Sequence, residues 1–139
     1  MRRSSIFALL AVSVVAACQQ QEELTPSRGR VLIRLLCLPT SGLEFKLLPW
    51  RVVAAEDSSF TWEMLPGGNV DQAVIGPGKT TFPFQERSFI VTPATPARAK
   101  PAPGTLRGTY KYTVTAVCSR DGGKVQDTAV IDPDMFVPW

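Results

Sequence analysis

Histidine is missing from all 139 residues, and cysteine occurs only three times. Without histidine, the usual base for a serine or cysteine nucleophile is excluded. So is the two-histidine, one-cysteine set of a blue-copper site, and the remaining cysteines make a poor zinc site. No stretch reaches the ~20 apolar residues of a membrane-spanning helix; the uncharged run Ile6 to Ala17 is too short. Charge of one sign is scarce as well, with 15 basic against 12 acidic residues. No clustered basic face of the kind nucleic acid requires follows from that balance, so no nucleic-acid partner is expected. Sustained helical spacing is absent too.

What the chain does carry begins at its N-terminus. Arg2 and Arg3 precede the apolar run, and Ala16 and Ala17 stand directly before Cys18. A basic head, a short apolar segment and a small-residue exit describe a secretory signal peptide. Val15-Ala16-Ala17-Cys18 resembles the lipobox of bacterial lipoproteins. That resemblance implies that residues 1–17 are removed and that Cys18 becomes the lipidated first residue of a protein of the bacterial cell envelope. Gln19, where aspartate would favour inner-membrane retention, leans toward the outer membrane in a host that has one. Loss of Arg2 and Arg3 leaves the mature chain near neutrality. Residues 18–29 are then the lipidated cysteine and a polar tether, Gln19 to Gly29, spanning roughly 18 Å on average.

From Arg30 to Trp139 the sequence reads as one β domain of a length that suits a single core. Turn signals recur at Pro39-Thr40-Ser41-Gly42, Pro66-Gly67-Gly68-Asn69, Gly76-Pro77-Gly78 and Asp121-Gly122-Gly123. Between them, apolar residues alternate with polar ones: Leu43, Phe45, Leu47; Phe60, Trp62, Met64; Tyr110, Tyr112, Val114, Ala116. A period of two places one set on a buried sheet face. Val31 to Leu38 is apolar on both parities, as a more buried strand would be. Pro93, Pro96, Pro101 and Pro103 oppose a central strand over 92–108 and predict a surface connection along a sheet edge.

Cys37 and Cys118 are an even pair in an exported chain, and each shares parity with the core-facing residues of its strand. A disulfide between packed sheets is expected, with two buried free thiols as the alternative. Closing so long a loop would stabilise by ~4 kcal/mol in the chain-entropy model. The fold class expected is all-β, a Greek-key β-sandwich of about seven to nine strands. Gly108-Thr109-Tyr110-Lys111-Tyr112-Thr113-Val114, with Ser59-Phe60-Thr61-Trp62, resembles cupredoxins. Because histidine is absent, that resemblance implies a copper-free sandwich without electron transfer. Cys37, Trp50 and Cys118 resemble the cysteine–tryptophan–cysteine order of immunoglobulin-like domains, although Ala116 replaces the tyrosine expected before the second cysteine.

Ala73 to Thr80 fits a permissive phosphate-loop pattern, but Thr81-Phe82-Pro83-Phe84 would open the following helix badly, so a turn is expected. Asp121, Asp127, Asp132 and Asp134 match no calcium loop and read as solvated carboxylates. Glu63, Glu86 or Asp127 could be nominated for glycoside hydrolysis, yet nothing selects a pair. No catalytic residue, cofactor or metal is therefore expected. Arg98, Lys100, Arg107 and Lys111 make the proline-rich region basic, either as a solvated loop or as a contact for anionic envelope polymers and headgroups. Trp139 is expected to cap the core, with a partner anchor as the alternative. Trp139, Phe82, Arg98 and Lys100 are the candidate partner contacts. The function expected is a membrane-tethered, non-catalytic binding or accessory module. Its partner would be an envelope protein or glycan, bound through end loops or a strand edge.

Overall fold

The computed structural model describes residues 28–120 and 125–139; the expected signal peptide, Cys18, Gln19 to Ser27 and Asp121 lie outside them. The described residues contain no helix. Ten strands form two packed sheets: β1 (Arg30–Leu38), β2 (Gly42–Leu48), β3 (Arg51–Val53), β4 (Phe60–Met64), β5 (Ala73–Pro77), β6 (Phe89–Val91), β7 (Ala97–Ala99), β8 (Gly108–Arg120), β9 (Val125–Ile131) and β10 (Asp134–Val137). One sheet has the order β2-β1-β4-β7, the other β3-β10-β8-β5-β6, with β9 also paired to β8. The chain is thus an all-β sandwich.

Two prolines explain why the strands outnumber the expectation. Pro49 lacks an N–H and cannot continue the β2 ladder, so the chain leaves one sheet and enters the other as β3. Pro133 lies between β9 and β10, which stay in one sheet and follow each other along one edge of the 13-residue strand β8. Two pairings are parallel, β1 with β4 and β3 with β10, which period-two alternation alone does not reveal.

The alternating residues fill the core as expected. Val31, Ile33, Leu35 and Cys37 face Tyr112, Val114, Ala116 and Cys118 across the sandwich, and all eight are buried. Cys37 and Cys118 form the disulfide, with Cα atoms 5.6 Å apart. At the centre, Trp62 packs edge-on against Phe84 and Tyr112, with ring centroids 5.7 and 5.8 Å away, and stacks on Phe60. Large rings bury much apolar area per residue, and offset or edge contacts add to it. Trp62 Nε1 and the Tyr112 hydroxyl have no hydrogen-bond partner among the described residues. Burial pushes Tyr112 far above the ordinary tyrosine pKa, which the nearby Trp62 indole only partly offsets.

Register gathers several strand ends at one end of the sandwich. Arg30 pairs with Thr61, and Phe60 with Ala99, so β1 and β4 begin where β7 stops. Gly29 donates its N–H to the Val53 carbonyl at 2.7 Å, joining the start of β1 to the end of β3. Val53 lies beside Phe136, and Val137 beside Gly108, which brings the end of β10 and the start of β8 to the same place. Gly29 has φ +77°, and a Cβ there would strike Ala55 and the Ser59 carbonyl, so glycine is required at this entry point. Arg28 and Gly29, the last positions of the expected tether, are therefore held by the sandwich.

The candidate binding end

At the entry end, two loops lie side by side, 78–88 after β5 and 100–107 after β7. Their contact is built on one acceptor. The Pro83 carbonyl receives the Ala102 N–H at 2.7 Å and the Thr105 hydroxyl at 3.2 Å. Thr105 also reaches the Ala102 carbonyl, at 2.7 Å. The Tyr110 hydroxyl donates to the Leu106 carbonyl at 2.7 Å, fixing the loop against the start of β8. Prolines restrict both loops, so little conformational freedom remains to be lost when something binds.

Between these loops runs a groove of about 400 Å³ whose apolar walls are Phe82, Pro83, Pro103, Leu106 and Tyr110. Its volume falls within the range of small-ligand clefts, and it is broadly open to solvent. Phe82 is seated on Phe84 and Phe89, with centroids 5.0 and 6.2 Å away, so an aromatic chain runs from the groove wall into the core around Trp62. No carboxylate or basic side chain lines the groove, whose polar groups are hydroxyls and backbone.

The candidate contacts from sequence divide here. Phe82 forms the groove. Trp139 does not cap the core: it is 47% exposed, because β10 ends at Val137 and Pro138 carries the chain past the last layer. Leu106, which composition alone did not single out, is 78% exposed. The β8–β10 ladder ends where Val137 pairs with Gly108, two residues short of Trp139 on one strand and of Leu106 on the other. Trp50 is 52% exposed at the start of β3, so it does not occupy the buried position of an immunoglobulin tryptophan.

The basic residues separate into paired and unpaired groups. Arg98, on edge strand β7, forms an ion pair with Asp57 and donates to Ser59 Oγ at 3.1 Å. Ser59 also donates its hydroxyl to Asp57 at 2.6 Å. That hydrogen bond, with further help from the Arg98 and Lys100 charges, holds the Asp57 carboxyl below the ordinary range. Arg107 lies over the Phe136 ring, 6.0 Å from its centroid. Lys111 is not part of a basic surface: its ammonium sits 2.5 Å from Asp134. That contact, joined by Arg51 at 3.3 Å, lowers the Asp134 pKa.

The other sequence candidates stay apart. Glu63 pairs with Arg30 at 2.7 Å on the outer side of β4, Glu86 lies in the 78–88 loop and Asp127 on β9. No cluster of three or more metal-ligating side chains exists among the described residues. Strand β5 runs into loop 78–88 without a helix, which sets aside the phosphate-loop pattern. A second surface is also notable: Ile90, Val74, Thr115 and Val130 follow one register row across β6, β5, β8 and β9. Val117 and Thr128 extend it, and Val130 is 61% exposed. Solvent-facing positions on an antiparallel sheet usually carry charge or polarity. No family model, curated protein or solved structure matches this chain.

Proposed function

We propose that this protein is a lipid-anchored, non-catalytic binding module of the bacterial cell envelope, built on a copper-free cupredoxin-like sandwich. The observation that carries the binding role is the preformed groove at the entry end, walled by Phe82, Pro83, Pro103, Leu106 and Tyr110. The lipobox-like Val15-Ala16-Ala17-Cys18 supports the anchor. Cys118, the one cysteine on β8, sits in a disulfide and offers no thiolate to a metal, which fits a copper-free reading. The parallel pairs and exposed Trp50 favour this comparison over the immunoglobulin one, whose sheets are antiparallel.

The test is made in living cells. Cys18→Ala releases the protein from membranes while its core remains folded, and a photo-crosslinking residue at Phe82 captures an envelope component in the anchored protein. Unchanged membrane attachment of Cys18→Ala defeats the anchor, and an uncoupled Phe82 probe defeats the groove.

A second reading, a structural subunit of an envelope complex, is favoured by the uncharged row Ile90, Val74, Thr115 and Val130. Contiguous apolar surface of this kind marks protein contacts. A probe at Val130 that captures one dominant envelope protein, with none captured at Phe82, selects that reading.

A further inference from the structure

Where the chain enters the sandwich decides which part of it meets the membrane. Residues 1–27 precede the described body, and the body begins at Arg28, at the end that also carries the 100–107 loop and Trp139. Ten positions separate Cys18 from Arg28. A flexible chain of that length spans about 17 Å and at full extension about 35 Å. An anchor at Cys18 therefore keeps the entry end within a short distance of the bilayer, at an effective concentration where weak contacts suffice.

That end has the composition of an interfacial surface. Leu106, 78% exposed, and Trp139, 47% exposed, are its large solvent-facing apolar side chains. Tryptophan favours the headgroup level of a bilayer, where one edge of the ring is apolar and the other wet. The segments that meet at this end carry Arg28, Lys79, Arg87, Arg98, Lys100 and Arg107, against Glu56, Asp57 and Glu86. Asp57 is already neutralised by Arg98. The local excess is positive although the mature chain is nearly neutral, so the charge is concentrated where the tether leaves. Each cation near an anionic leaflet contributes a favourable increment.

We infer that the entry end docks on an anionic phospholipid surface, with Trp139 and Leu106 seated at the headgroup level and Arg28, Lys100 and Arg107 on lipid phosphates. This rests on the anchored reading above and names what the loop end binds. Docking sets β8 upright on the membrane. Ten residue steps from Gly108 to Cys118 then raise the disulfide end about 34 Å above the surface. The uncharged row across β6, β5, β8 and β9 is left facing sideways.

The experiment uses protein expressed from the full sequence and purified from cells, in a Trp50→Phe background. Trp139 is then the only exposed tryptophan, since Trp62 is fully buried. It is reconstituted with vesicles of equal parts phosphatidylglycerol and phosphatidylcholine carrying brominated acyl chains. The expected result is a blue shift and bromine quenching of Trp139. Both are lost in Leu106→Asp, whose melting point stays unchanged because the side chain is solvent-facing. Lys100→Gln and Arg107→Gln each weaken docking about fivefold. Trp139 emission that stays in water, or equal quenching in pure phosphatidylcholine, overturns the inference. The intact mass separately reports acyl chains on Cys18. An acylated protein with unquenched Trp139 defeats docking alone, and an unacylated one with quenched Trp139 defeats the anchor alone.

Discussion

The two ends of the sandwich are built on opposite plans. At the far end, the Cys37–Cys118 bridge joins the sheets, and Asn69 locks the same strand end. The Asn69 side chain accepts the Cys37 N–H at 2.6 Å and donates to the Cys37 carbonyl at 2.8 Å, imitating a neighbouring strand. A Cβ on Gly68 would collide with the Leu35 carbonyl, so this turn lies flat on β1. The entry end has no covalent tie among the described residues. It relies on the Pro83 carbonyl and on the Asp57 ion pair, and it exposes Leu106 and Trp139. Cross-linking one end leaves the other free to present apolar surface without unravelling the sheets.

The contrast is broken most directly at the bridge. Cys37→Ala should lower stability by about 4 kcal/mol, read as the gap between melting curves of oxidised wild type and variant. Reductant should move the wild type toward the variant; identical curves would show that the far end needs no bridge. Next in size is Asn69→Ala, which strips both partners from the Cys37 peptide groups and should cost about 2 kcal/mol in urea unfolding. Amide exchange at Cys37 should rise with it, while the entry end stays protected as before.

At the entry end the expected effects are smaller. Thr105→Val removes one hydroxyl from the Pro83 brace and should cost about 1 kcal/mol, with faster exchange at Ala102 and looser groove loops. A change spread to the far end would contradict their independence. The smallest effect is acid sensitivity. Asp57 and Asp134 have lowered folded-state pKa values, so their contribution is fully present above the ordinary carboxylate value of about 3.9. It is lost as pH falls through the folded values. Amide exchange below about pH 4 should therefore accelerate first around β3, β10 and the Asp57 loop. Asp134→Asn should flatten that response. Tyr112 has the opposite sign. Its raised pKa makes stability fall as pH rises above about 10, and Tyr112→Phe should remove that alkaline loss.

Much of the sandwich was legible because burial imposes a period of two. Phe60, Trp62 and Met64, or Tyr112, Val114 and Ala116, are buried where alternation places them. The same parity aimed Cys37 and Cys118 at each other from 81 residues apart. The prolines of 92–108 ruled out a central strand, and β7 there is indeed an edge. The groove end was less legible. Phe82 was named, yet its neighbours Pro103 and Leu106 come from a segment about twenty residues on, and only their flanking prolines hinted at a shaped loop. Trp139 was misplaced because a terminal aromatic carries no period to follow.

The sequence by itself determined the strands, the inward faces and the cysteine pair, since each follows from local spacing and the cost of leaving apolar groups in water. Only the tertiary structure decided the parallel pairs, the crossing at Pro49 and the gathering of Gly29, Leu106 and Trp139 at one end. Those depend on which distant strands share hydrogen bonds, and backbone pairing leaves no mark on side-chain alternation.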